Sequence, residues 1–126
     1  MKLRVTVQWT QTAKDLLAGL PKPIRKGLIR KIGALRDSDP RQAGKPLIGP
    51  LQGYRSITHG RYRAILSVEE ERGAHGEVVL RVRVYVEAVG IRRDRDKKDV
   101  YKIAQKLVEL GLIPDRESSD PEDQQE

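Results

Sequence analysis

The chain has 126 residues, enough for one domain with a modest core and too few for two independent domains without staples. It contains no cysteine, and its two histidines, His59 and His75, do not stand at metal-ligand spacing, which argues against a disulfide framework and a metal enzyme and leaves no cofactor expected. No apolar run approaches the roughly 18 to 20 residues of a membrane span, and the sequence opens directly on a strand pattern, so a cytoplasmic protein with no membrane partner is expected.

The formal charge of +7 hides an asymmetry. The final segment, DRESSDPEDQQE (115–126), carries six acids and one base, so residues 1–114 keep 24 of the 25 basic residues against 12 of the 18 acidic ones. A body that basic attracts nucleic acid in a salt-dependent way, or an acidic protein partner. Residues 1–114 read as the domain, and 115–126 as a disordered acidic tail of low hydrophobicity.

Leu3, Val5, Val7 and Trp9 alternate with Lys2, Arg4, Thr6 and Gln8, the period of a half-buried strand. Thr10 or Thr12 can cap a short helix whose apolar face is Ala13, Leu16, Leu17 and Leu20, with Pro21 ending it. Pro23 suits the first turn of a second helix, along which Ile24, Leu28, Ile32 and Leu35 recur at helical spacing. The two form a helical hairpin whose outer face holds Arg25, Lys26, Arg30 and Lys31. Residues 37–49, rich in proline, glycine and aspartate, read as a surface loop that delivers Lys45 to the next element.

That element, LQGYRSITHGRYRAILSV (51–68), reads as two short strands around a turn at His59 and Gly60. It carries Arg55, Arg61 and Arg63. Guanidinium is planar, permanently charged and forks onto phosphate oxygens, so three of them on a rigid hairpin suit a phosphate site; a charged edge strand that resists intermolecular pairing accounts for the same residues. EEERGAHGE follows as a turn too polar to bury. From Val78 the clearest strand begins: Val78, Leu80, Val82, Val84, Val86 and Ala88 face the helices, while Arg81, Arg83, Tyr85 and Glu87 form a polar face beside the hairpin arginines. After IRRDRDKKD, with Asp96 as the expected N-cap, Val100, Ile103, Leu107 and Leu110 make the stripe of a last helix with Tyr101 in its first turn, ended by Gly111 and Pro114.

The strand ending at Trp9, the helices through LPKPIRKGLIRKIGAL, the segment GKPLIGPLQGYRSITHGRYRAIL, and VEAVGIRRDRDKKDVYKIAQKL occur in an order and at distances that resemble the RelE/ParE superfamily of toxins, and within it the RelE-type messenger-RNA interferases of type II toxin–antitoxin modules. The resemblance implies an α+β fold: a small, mainly antiparallel sheet of about four strands, with the helical hairpin on one face and a C-terminal helix. It implies a ribosome-dependent endoribonuclease that works without metal by attack of a 2'-hydroxyl on the adjacent phosphate. The implied partners are a cognate, RelB-like antitoxin, the ribosome and messenger RNA. Matched by position, Arg55, Arg63 and Arg92 are expected to hold the phosphate, and Tyr101 to stack on a base or assist proton transfer. Lys45, Arg61, Arg81, Arg83 and Arg93 are expected RNA contacts. Ile57, or Thr58 if Ser56 is an inserted bulge residue, and Ile91 stand where relatives often carry basic residues, which leaves His59 and Glu87 as the candidates for proton transfer, since arginine does not deprotonate at working pH. The gyrase-poisoning branch of the superfamily, or a binding domain with weak chemistry, are the other readings of the same pattern.

Overall fold

Alternation and capping carry directly into the structure. The computed structural model describes residues 2–72, 79–93 and 99–111. Its elements run β1 (Lys2–Trp9), α1 (Gln11–Ala18), α2 (Lys22–Gly33), β2 (Lys45–Pro46), β3 (Tyr54–His59), β4 (Tyr62–Arg72), β5 (Val79–Ile91) and α3 (Val100–Glu109), with 3-10 turns at Ala34–Asp37, Pro40–Gln42 and Gly49–Leu51. The strands form one sheet in the order β1-β5-β4-β3-β2. Only β1–β5 is parallel; the other neighbours are antiparallel.

Thr10 is the cap of α1. Its Oγ1 accepts from Ala13 N and donates to Val86 O, both at 3.1 Å, so one hydroxyl starts the helix and ties it to β5. The helical hairpin buries Ala13, Leu28, Ile32 and Leu35 on the sheet face formed by Ala64, Leu66, Leu80, Val82, Val84 and Val86. A second, smaller core lies on the opposite face, where Val100 and Ala104 of α3 meet Leu51, Tyr54, Ile65 and Ala88.

Three expectations are corrected. Residues 37–49 are not wholly loop, because Lys45 and Pro46 add a short fifth strand to β3, paired with Ser56 and Arg55. Gly44 makes that possible: its φ is +60°, and a Cβ there would collide with the Ser56 carbonyl. The glutamates after Val68 are strand and not turn, since β4 continues to Arg72, with Glu69 opposite Arg83 and Glu71 opposite Arg81. Opposed charges across a ladder support pairing, and Glu71 Oε2 sits 2.7 Å from Arg83 Nη2. The expected turn at 73–77, the tail at 115–126 and the boundary at 114 lie outside the described residues.

The third correction concerns β5. Leu66 pairs with Val86 but Ile65 with Ala88, so Glu87 is an extra residue, a β-bulge. Side-chain alternation inverts there. Ala88, expected beside Val86 against the helical hairpin, instead joins the α3 core, and Val89 takes its place on the hairpin side. The face expected to be polar and open is covered toward this end, where Tyr85 is 3% and Glu87 2% exposed.

Leu28 is fully buried between α2 and the sheet. Leu28→Ala is expected to cost about 2 to 4 kcal/mol in urea unfolding through the cavity it leaves. Gly44→Ala should also destabilise, through both its backbone conformation and its clash with β3, whereas alanine at exposed Gly60 should be limited to the φ penalty.

Candidate functional site

The β3–β4 turn consists of Gly60, at φ +59°, and Arg61. Beyond the last ladder pair, Tyr62 with Ile91, the Arg92 amide donates to the Arg61 carbonyl at 2.7 Å. This bond holds the end of β5 against the turn and brings Arg61, Arg63, Arg92 and Arg93 to the rim of one cleft of about 340 Å³. Arg61, Arg92 and Arg93 are exposed and Arg63 is half-buried. Arg63 Nη1 donates to the carbonyls of Gly60 and Tyr62, each at 2.8 Å. Those bonds fix the guanidinium on the turn and leave its Nε and Nη2 donors for a ligand. Guanidiniums gathered at one end of a sheet attract an oxyanion, which accepts several hydrogen bonds from them. A phosphate diester is such an oxyanion.

Asp99 ties α3 to this cleft. It is 5% exposed and is the N-cap of α3, its Oδ2 accepting from the amides of Tyr101 at 3.1 Å and Lys102 at 3.4 Å. Its Oδ1 accepts from the Arg93 amide. One carboxylate therefore sets both the start of the helix and the backbone that carries Arg92 and Arg93. The expected cap was Asp96, which lies outside the described residues; Asp99 is better placed because the apolar stripe begins immediately after it. Gly90 lets the helix start close to β5, since a Cβ there would meet Val100 at 3.3 Å. Tyr101 is half-buried with its hydroxyl 3.0 Å from Ser56 Oγ. Ser56 is one pleat, about 7 Å, from Thr58, the residue paired with Arg63. Tyr101 does not line the arginine cleft itself; it stands on the same side of the sheet, two residues along β3 from the partner of Arg63.

The other expected residues do not join it. Arg55 and His59 project from the face of β3 that also carries Ile57, toward the helical hairpin. Arg55 Nε donates to Ala43 O at 2.6 Å, and the His59 ring packs where a Cβ on Gly27 of α2 would stand. Glu87 is buried at the bulge, accepting from Ser67 Oγ at 2.9 Å. Lys45 is exposed on the edge strand. Arg81 and Arg83 lie toward the opposite end of β5, Arg83 paired with Glu71. Arg83 is seven positions before Gly90, the partner of Arg63, a separation of about 20 Å along a strand. Sequence reasoning missed Asp99 as the connection between helix and cleft, and Ser56 as the partner of Tyr101. The first was legible as an aspartate preceding an apolar stripe; the second depends on tertiary packing.

No protein-family model matches the chain, and no curated protein matches it. Among solved structures, a chain of the toxin–antitoxin complex RelBE2 from Mycobacterium tuberculosis matches with a TM-score of 0.53 and 26% identity, over 75% of this chain and 98% of that one. The chain is a RelE-like protein. The expectation of an α+β RelE-like architecture holds, with a five-stranded sheet in place of about four strands. In this RelE-like protein the last helix packs on the face of the sheet from which Ile65 and Ala88 project, while the helical hairpin occupies the other face.

The Asp99 connection is testable by stability. Asp99→Ala is expected to cost about 0.5 to 2 kcal/mol in urea unfolding through loss of the cap, and Tyr101→Phe about 1 kcal/mol through loss of the Ser56 hydrogen bond. Both variants should remain folded by circular dichroism.

Proposed function

We propose that this RelE-like protein is the toxin of a type II toxin–antitoxin pair and that it cleaves messenger RNA in the cytoplasm, on the ribosome, by 2'-hydroxyl attack. The observation that carries this reading is the convergence of Arg61, Arg63, Arg92 and Arg93 on one cleft. In the reaction the 2'-oxygen bonds to phosphorus, the bond to the 5'-oxygen breaks, the 2'-hydroxyl loses a proton and the departing oxygen gains one. Charge builds on the non-bridging oxygens. Preorganised guanidiniums aimed at that charge are the largest contribution a protein can make to such a step. Arg63, fixed by its carbonyl bonds, and Arg92, fixed through its amide, hold the phosphate. Arg61 and Arg93 contact the flanking backbone. Tyr101, oriented by Ser56, stacks on a base or passes the proton to the departing oxygen.

Arg55 takes no part in this cleft. His59 lies against α2 and Glu87 is buried at the bulge, which supports a different residue as the acceptor of the 2'-proton. That placement favours one second reading, a domain that binds RNA phosphate firmly and cuts it slowly. In either reading a RelB-like antitoxin neutralises the protein by covering the arginine cleft with a complementary acidic segment.

Primer extension on a messenger RNA in a translating extract tests the proposal. Wild type is expected to produce cuts within codons that depend on ribosomes, and Arg63→Ala to reduce cutting by about 100-fold or more, with unchanged thermal unfolding. Absence of cuts at every protein concentration, with inhibition of supercoiling by gyrase, would replace the ribonuclease with a gyrase inhibitor.

A further inference from the structure

The displacement of Arg55 from the arginine cleft leaves it in a different pocket, of about 220 Å³, between β2, β3 and the end of β4. Its walls are Arg41, Arg55 and Glu70, and its apolar lining comes from Pro46 and Val68. The polar groups are held before any ligand arrives. Arg41 forks onto Asp39, Nε to Oδ1 and Nη2 to Oδ2, both at 2.8 Å. Arg41 hydrogen bonding holds the Asp39 carboxyl below the usual carboxylate range, so this pair stays ionised at neutral pH. Arg55 is braced by its Nε bond to Ala43 O, which leaves both terminal nitrogens as donors. Glu70 Oε1 stands 3.6 Å from Arg41 Nη1, an ion pair too long to be a hydrogen bond, so its oxygens keep their acceptor capacity.

The charges here differ in kind from those of the arginine cleft. Two guanidiniums face two carboxylates, Asp39 and Glu70, and the sum is zero. Such a pocket does not attract a backbone phosphate. It presents a planar donor fork, a carboxylate acceptor and an apolar surface, in a volume below the ordinary range for extended small-molecule ligands. That combination matches one planar ring system with acceptors on one edge and donors on another.

We propose that this pocket takes a single unpaired nucleobase, guanine in preference to the others. Guanine offers N7 and O6 to a guanidinium fork, and N1–H and the N2 amino group to a carboxylate. Adenine turns an amino donor toward the fork, and the pyrimidines lack N7. The proposal rests on the reading of this protein as an RNA-binding one. It adds a base-reading site on the opposite face of the sheet from the arginines that hold the backbone, so that sequence preference and phosphate binding reside in separate places.

The test uses nucleosides, which carry no phosphate and therefore bypass the arginine cleft, the ribosome and any cleavage. Guanosine, adenosine, cytidine and uridine are titrated into isotopically labelled full-length protein and followed by NMR. Guanosine is expected to shift the Gly53 amide and Val68 methyl signals saturably, with the other three binding about tenfold or more weakly. Glu70→Gln and Arg55→Gln should each weaken guanosine by about tenfold while leaving the rest of the spectrum in place. No response at Gly53 and Val68, an equal response to all four nucleosides, or guanosine binding unchanged in both variants would overturn the proposal. So would a response at these positions to an acidic peptide alone. Cleavage that persists alongside a failed titration would remove this pocket and leave the proposed ribonuclease standing.

Discussion

β5 is buried along both faces toward its C-terminal end, and the arrangement of this protein depends on how one strand satisfies two cores. Upstream of Glu87 it follows simple alternation, with Leu80, Val82, Val84 and Val86 against the helical hairpin. The extra residue at Glu87 inverts the alternation, so Ala88 faces α3 while Val89 returns to the hairpin side. Bulges bend a strand and raise its local twist. Here the bulge lets α3 pack on the end of the sheet where the β3–β4 turn lies, and the arginines of turn, strand end and helix lead are consequently neighbours. Without the inversion, a small alanine under α3 would be exchanged for a valine, and the close approach of Val100 to Gly90 would be lost.

Backbone bonds hold the arginine cleft in place. Arg63 is held by the carbonyls of its own turn, and Arg92 is held through its amide to Arg61. Neither bond neutralises charge. Elsewhere the protein does neutralise: Arg83 pairs with Glu71, and Arg41 with Asp39 and Glu70. Exposed pairs of this kind contribute little stability. Arg63, braced by the carbonyls of its own turn, keeps Nε and Nη2 as donors for a ligand, as expected of a site that meets a polyanion.

Most of the fold was legible in the sequence because the strong signals are local. Strand alternation from Leu3 to Trp9 and the proline at the start of α2 are set by neighbours along the chain, and they appear as expected; the last helix is also where expected, but its packed stripe is Val100, Ala104 and Leu107, with Ile103 outside that core and Leu110 exposed. The glutamates at 69–71 were illegible as strand because their pairing with Arg81 and Arg83 depends on residues ten or more positions away. The face reached by a strand residue was legible only up to a bulge. Arg55 and His59, grouped with Arg63 by proximity in sequence, lie on the other side of the sheet for a different reason: Arg63 pairs with Thr58, and strand alternation sends the neighbours of Thr58 to the opposite face. Arg63, Arg92 and Arg93 were legible as candidates by residue type, but the hydrogen bond from Arg92 to Arg61 that gathers them belongs to tertiary structure.

The central claim is that the cleft, and not the basic outer face of α2, is where this protein holds RNA. Binding of a short single-stranded RNA whose 2'-hydroxyls are methylated, so that it cannot be cut, measured against salt concentration, tests it most directly. Each phosphate neutralised contributes about −0.7 to the slope of log K against log salt for a single strand. Replacing Arg61 and Arg63 by alanine together should flatten the slope by about 1 to 1.5, while alanines at Arg25, Lys26, Arg30 and Lys31 leave most of it intact. A slope abolished by the α2 substitutions and untouched by those in the cleft would contradict the account.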